Sequence, residues 1–242
     1  MIEAPLTAEH AEGRLELAEA EAKSDDLSTE TGSDHSSAGD RGCLAIFDWD
    51  DTLFPTSWLN ERGQLAARGL DGLPESRRVA LAALARVAGD ALQQALVHGS
   101  VVIVTNAVEG WVQDSCRRFM PSLMPMLAQL TVISARSSFQ PLGVSSPTEW
   151  KTLAFANEVR AFCEHAGDQR CCSILAIGDS VHEHSALLQS TSEYEGCFAK
   201  SLKFAEKPSL QQLVEELRLV EGGLEEIVDF DGDLDVDVGS SA

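Results

Sequence analysis

The chain lacks any run approaching the roughly 18 consecutive apolar residues of a membrane span. It also lacks a basic segment followed by an apolar one at its start, so no secretory signal is read there. Six cysteines occur, at 43, 116, 163, 171, 172 and 197, but no Cys-x-x-Cys. Cys171-Cys172 is not a metal-ligand spacing, and the cysteines are expected to be small buried hydrophobes in a reducing compartment. Together these absences exclude a helical membrane span and point to a cytoplasmic protein, without ruling out the nucleus. Basic residues are scarce as well, 18 Lys and Arg against 39 Asp and Glu, for a net charge of −21. Such a chain repels nucleic acid and anionic lipid, so neither is expected as a partner.

The charge is uneven. Residues 1–40 carry 11 acidic and 2 basic side chains, and residues 221–242 carry 8 acidic and none basic. The middle has a net charge of only −4. Residues 1–40, rich in Ser, Asp, Gly and Thr after a short Ala/Leu/Glu stretch, cannot bury enough apolar surface to offset chain entropy and are expected to be disordered. A domain over 41–222 and an acidic hairpin or tail over 223–242 complete the expected organisation. The hairpin reading rests on Val228, Phe230, Leu234, Val236 and Val238 alternating with acids around Asp231-Gly232. A Ca²⁺ loop fits those alternating aspartates poorly, because the Gly is misplaced and no Glu closes twelve residues.

Between the ends, short apolar runs alternate with helical patterns. Leu44–Phe47, Val101–Val104, Thr131–Ala135 and Ile174–Ile177 read as buried strands, and Cys197–Phe204 as a fifth. Helices are expected over Glu75 to about Val97, with Val79, Leu81, Leu84, Val87, Leu92 and Leu96 on the apolar side, and over 109–119, 147–165, 181–188 and 208–220. Strands alternating with helices predict an α/β fold of three layers around a central, mostly parallel sheet.

The organising stretch is Phe47-Asp48-Trp49-Asp50-Asp51-Thr52-Leu53. An apolar strand stops at three carboxylates within four residues. In extended chain Asp48 and Asp50 point to the same side, where they repel unless one is protonated or a cation lies between them. Oxygen ligands of this kind suit Mg²⁺. Other strands end comparably, in Thr105-Asn106 and in Gly178-Asp179-Ser180, and Lys151 opens a helix between the third and fourth strands. Ligands of open α/β sheets bind beyond these carboxyl ends.

Asp-x-Asp-Asp-Thr-Leu after a buried strand, then Thr105, Lys151 and Asp179 in this order, resembles the four motifs of the haloacid dehalogenase-like (HAD) superfamily over about residues 43–220. The resemblance implies a Rossmann-like core and a Mg²⁺-dependent phosphatase. It implies Asp48 as nucleophile, Asp50 as general acid and base, Thr105 as a phosphoryl hydrogen-bond donor, and Lys151 as the charge-neutralising cation. Backbone N–H groups around Trp49 and Asn106 would add donors. Asp48, the Asp50 carbonyl and Asp179 would hold the metal. The family often has a second Asp four residues after the first; here that place is Glu183, whose longer carboxylate reaches the metal through water.

The segments after the first strand and before Lys151 leave no room for a large cap domain. An open site of this kind implies a phosphorylated substrate that can be macromolecular, such as a phosphoprotein. Trp58, Trp111, Phe139 and Trp150 fall near its edge, where they either touch substrate or pack loops on the core. Two rivals stay open: phosphotransfer to an acceptor other than water, and a non-catalytic binding module on the same fold. The oligomeric state is not legible.

Overall fold

Alternation along one strand sets the layers. In β1 (Gly42–Phe47), Cys43, Ala45 and Phe47 enter one apolar cluster while Leu44 and Ile46 enter another on the opposite face. Successive side chains of a strand point to opposite faces, so a strand apolar at every position must be covered on both. The computed structural model describes residues 42–66, 69–166 and 172–239, and the segment expected to be disordered, 1–40, lies outside them.

The elements follow in order. After β1 come α1 (Thr56–Glu61), α2 (Glu75–His98) and β2 (Ser100–Thr105). Then come α3 (Trp111–Phe119), α4 (Met124–Leu127), β3 (Thr131–Ser134) and α5 (Ala135–Phe139). The long α6 (Pro147–Ala166) leads to β4 (Cys172–Gly178), α7 (Val181–Thr191), β5 (Cys197–Lys203), α8 (Leu210–Asp229) and β6 (Leu234–Asp237). The six strands form one parallel sheet in the order β3-β2-β1-β4-β5-β6. Residues of α2 and α8 fill the first cluster, and residues of α5, α6 and α7 fill the second. This is a three-layer, Rossmann-like α/β fold without a large cap. The strand order reverses direction at β1 and β4, and the crevice at such a switch point is where open α/β sheets bind ligands.

Three expectations are corrected. The acidic hairpin of 223–242 does not form. Val228 lies in α8, and β6 pairs with β5 in parallel, as a sixth edge strand reached from a helix. Gly222-Gly223 disguised the continuation of α8, yet Leu224, Ile227 and Val228 carry the three-to-four spacing of Leu213, Leu217 and Val220 onward, and all six are buried. The boundary at 222/223 thus falls inside a helix. Val79, expected on the apolar side of α2, is 59% exposed. Lastly, Cys172 and Cys197 are joined in a disulfide. They occupy register-paired positions of adjacent strands, a proximity that their separation of 25 residues conceals.

Lys200 closes the new edge. Its fully buried ammonium group donates to the carbonyls of Ile227, Val228 and Phe230 at the end of α8. A cation there satisfies carbonyls that the helix leaves open and meets the negative end of its dipole.

Candidate active site

The chain leaves β1 in a tight turn. The Trp49 carbonyl accepts from the N–H groups of Leu53 and Phe54 at 3.0 and 2.9 Å, and Asp51 N–H donates to the Phe54 carbonyl at 2.7 Å. Asp51 takes the left-handed conformation, φ 56°, which Asp tolerates better than most residues. The Asp51 carboxylate accepts from the Ser57 N–H at 2.8 Å, at the start of α1. The Trp49 side chain turns inward, stacks on Phe54 with centroids 5.6 Å apart, and donates from Nε1 to Ser115 Oγ at 3.0 Å. That anchor leaves Asp48 and Asp50 at the strand end.

Asp48 meets Lys151. The lysine, on α6, is 1% exposed, and its Nζ lies 2.9 Å from Asp48 Oδ1. The same Nζ donates to Glu183 Oε1. Glu183 is fixed by the start of α7. Its Oε2 accepts from Ser180 N–H at 3.0 Å and from Ser180 Oγ at 2.6 Å, while Ser180 Oγ accepts from His182 N–H. This reciprocal capping box satisfies two donors at the helix start and holds the carboxylate against Lys151. Gly178 makes room for it: a Cβ there would lie 2.4 Å from Glu183 Cγ. Both oxygens of Glu183 are therefore engaged by protein donors.

Asp50 turns the other way. Its Oδ1 accepts from Trp111 Nε1 at 2.8 Å and from the Thr56 hydroxyl, and its Oδ2 accepts from Thr105 Oγ1 at 3.3 Å. Thr105, buried at the end of β2, also accepts from Ala107 N–H at 3.0 Å. Asn106 donates from its side-chain amide to the Pro147 carbonyl at 3.1 Å, tying β2 to the start of the helix that carries Lys151. Thr148 and His182 Nδ1, 2.7 Å apart, join that helix start to α7.

The electrostatics follow from one cation among many carboxylates. Burial pushes Asp48 up to about 8; Lys151 opposes this, while the charges of Glu183 and Asp50 add to it. Burial also raises Asp179, beyond β4, to about 7, with help from Glu183 and Asp51. Burial disfavours the charge of Lys151, but Asp48 and Glu183 outweigh it and hold the ammonium above its usual range. Glu183 is pulled below the usual carboxylate range: burial opposes, and Lys151 and Ser180 prevail. Lys151 thus faces two carboxylates, Asp48 and Glu183, with a single positive charge.

Beside Thr105 a cavity of about 400 Å³ opens, lined among others by Glu109, Gly110, Gln113, Arg117 and Ser134. The fold brings Asp48, Lys151 and Glu183 into one bonded set and Asp50 and Thr105 into a second beside it; Asp48 feels Asp50, and Asp179 feels Glu183, through charge. Asn106 braces the set from its edge. Among the four edge aromatics, Trp111 touches the site directly, while Trp150 is buried in the second cluster. The indole of Trp111 was visible only as an aromatic near the edge; its aim at Asp50 depends on the approach of α3. The role of Glu183 had a signal, since Ser180-x-x-Glu183 spells a helix start. Among the described residues, the one trio of Cys, His, Asp or Glu side chains whose donor atoms lie within 4.8 Å of one another is Cys163, Cys172 and Cys197.

No family model matches the chain, and none of the curated proteins or solved structures compared with it matches significantly. Among the described residues no helix is long and apolar enough to cross a membrane.

Proposed function

We propose that the chain is a capless HAD-like phosphatase that hydrolyses a phosphomonoester through an aspartyl-phosphate on Asp48. The observation that carries this reading is a fully buried lysine paired with the first carboxylate beyond β1, at the switch point of the sheet. An ion pair so deeply buried is costly unless its charges serve something further.

Asp48 attacks the phosphorus in line. Asp50 gives its proton to the leaving oxygen, and the Thr105 hydroxyl donates to the carboxylate that this leaves. The leaving alcohol departs and the phosphoryl group stays on Asp48. Asp50, now ionised, takes a proton from water, which attacks the phosphorus and releases phosphate with Asp48 restored. Lys151 offsets charge on Asp48 and on the phosphoryl oxygens. The cavity beside Thr105 receives the group attached to the leaving oxygen. No large cap closes the strand ends, which favours a substrate presented on a macromolecule, such as a phosphoprotein.

The site chemistry fits Mg²⁺. Burial, with the charges of Glu183, Asp50 and Asp51, raises Asp48 and Asp179, the signature of a charge deficit, and hard oxygen donors suit this ion. Asp48, Asp179 and the Asp50 carbonyl would hold it, with Glu183 excluded from direct ligation by its bonds to Lys151 and Ser180. When bound, Mg²⁺ would supply charge neutralisation to the phosphoryl group.

Phosphate release from p-nitrophenyl phosphate, with and without Mg²⁺, tests the reading. Release that needs Mg²⁺ and disappears in Asp48→Asn is expected. Equal release by the variant and the wild type would refute Asp48 as nucleophile.

A further inference from the structure

At the amino end of the strands, opposite the end that carries Asp48, three sulfurs meet. Cys172 opens β4 and Cys197 opens β5, facing each other in register with Cα atoms 4.8 Å apart, and they are bonded. Cys163, in the last turns of α6, places its Sγ 3.7 Å from that of Cys197. The three come from three different elements. Cys172 is buried, whereas Cys163 and Cys197 are half-buried at the rim.

We propose that these residues form a thiol–disulfide exchange site in which Cys163 is the resolving thiol. Cys163 loses its proton, and its sulfur bonds to that of Cys197. The Cys197–Cys172 bond breaks, its electron pair leaves on Cys172, and Cys172 takes up a proton. No net oxidation occurs. The bridge has moved from within the sheet to a link between β5 and α6, where both sulfurs are half-buried rather than one being buried. A soluble dithiol then attacks the Cys163 sulfur and reduces the bridge, leaving Cys163 and Cys197 as thiols and itself as a disulfide.

The physical grounds are contact and access. Exchange requires a thiol in contact with one sulfur of a disulfide, and 3.7 Å is van der Waals contact between sulfurs. Buried Cys172 is a poor entry point for an external thiol and, once released, sits comfortably as a small hydrophobe. Burial raises the Cys163 thiol, so exchange quickens with alkalinity as more thiolate forms. Cys43 and Cys116 do not compete: both are buried, lack a sulfur partner, and are pushed up to about 12.

The test uses the full chain in a Cys171→Ser background, so that an adjacent thiol does not blur the map. Disulfides are mapped by mass spectrometry after acid quenching, and reduction by dithiothreitol is followed by alkylation. The Cys172→Ser variant, oxidised with glutathione disulfide, is expected to form the Cys163–Cys197 bridge. The Cys163→Ser variant is expected to keep Cys172–Cys197 and to be reduced about tenfold more slowly than its parent. Circular dichroism establishes that both variants fold. If Cys163 and Cys197 stay fully alkylatable in folded Cys172→Ser, or if Cys163→Ser is reduced as fast as its parent, the proposal is overturned.

Discussion

Gly178→Ala probes the site where its geometry is tightest. The new Cβ would lie 2.4 Å from Glu183 Cγ and 2.7 Å from Cδ, well inside contact distance. Glu183 is the flexible partner, but it is held by Lys151 on one oxygen and Ser180 on the other. Staying in place costs about 1–3 kcal/mol of overpacking. Swinging away loses the capping box, about 0.5–2 kcal/mol, and half of the lysine's compensation. Breaking a buried ion pair outright costs about 3–5 kcal/mol, but Asp48 would still face Lys151. The expected loss is therefore about 2–4 kcal/mol. Gly222→Ala is the control. It also lies next to a structured segment, inside α8, but a Cβ there meets nothing within 4 Å. It should stabilise by about 0.5–1 kcal/mol, the ordinary helix preference for Ala. Equilibrium urea unfolding followed by circular dichroism reads both. A Gly178→Ala protein within about 0.5 kcal/mol of wild type, the usual scatter for an unconstrained surface site, would refute the packed Glu183–Lys151 arrangement.

Trp111→Phe removes the indole donor to Asp50 while keeping the ring, so kcat of phosphate release should fall about tenfold with KM little changed, and an unchanged kcat would sink the orienting role of Trp111. Lys200→Met removes the ammonium donor from the carbonyls of Ile227, Val228 and Phe230, of which Val228 keeps Ser173 Oγ, and should cost about 3 kcal/mol in urea unfolding; a loss below about 1 kcal/mol would mean that the other carbonyls find new partners. Burial pushes Glu216 up to about 7, above its unfolded value, so the folded state binds the extra proton and stability falls as pH rises from about 4.5 to 7. Glu216→Gln should then be about 2 kcal/mol more stable than wild type at pH 8 and equal to it near pH 4.5, and a pH-independent difference would contradict the assignment.

Much of the architecture was legible because it is written in local patterns. A strand buried on both faces shows as an unbroken apolar run, and β1, β2 and β4 are such runs. The third strand sits at the sheet edge and still shows, in Val132 and Ile133. What escaped is what depends on partners distant in sequence. β6 alternates apolar and acidic residues, as an edge strand with one wet face should. Alternation reveals a strand but not whether its neighbour is parallel, and an Asp-Gly beside it invited a hairpin. The Gly222-Gly223 pair hid nine further residues of α8, although the buried positions kept their spacing. The cysteine pairing is of the same kind, since register across β4 and β5 cannot be counted along the chain.

The site divides along the same line. Residue types at strand ends and helix starts could be picked out one by one, and the fold gathers five of them at one end of the sheet. Their division of labour could not be read, because it depends on how two carboxylates share Lys151. Glu183 and Asp48 compete for Lys151, and Glu183 enters with an advantage: Ser180 already binds its second oxygen, and the helix start stabilises its charge. Asp48 is left raised to about 8, because burial and the charges of Glu183 and Asp50 outweigh Lys151. Asp179, on the next strand, is raised in the same sense. On the proposed reading, these two raised carboxylates at adjacent strand ends are where a divalent cation would deliver further positive charge. Glu183, which the resemblance offers as a water-mediated ligand, has both oxygens bonded to protein donors. On the proposed reading, its charge beside Asp48 would make ionisation of the nucleophile depend on the metal. Glu183→Gln separates these effects: it should lower the Asp48 pKa without any metal, as an NMR titration of the carboxyl carbon would read, and an unmoved titration would mean that Lys151 was never shared.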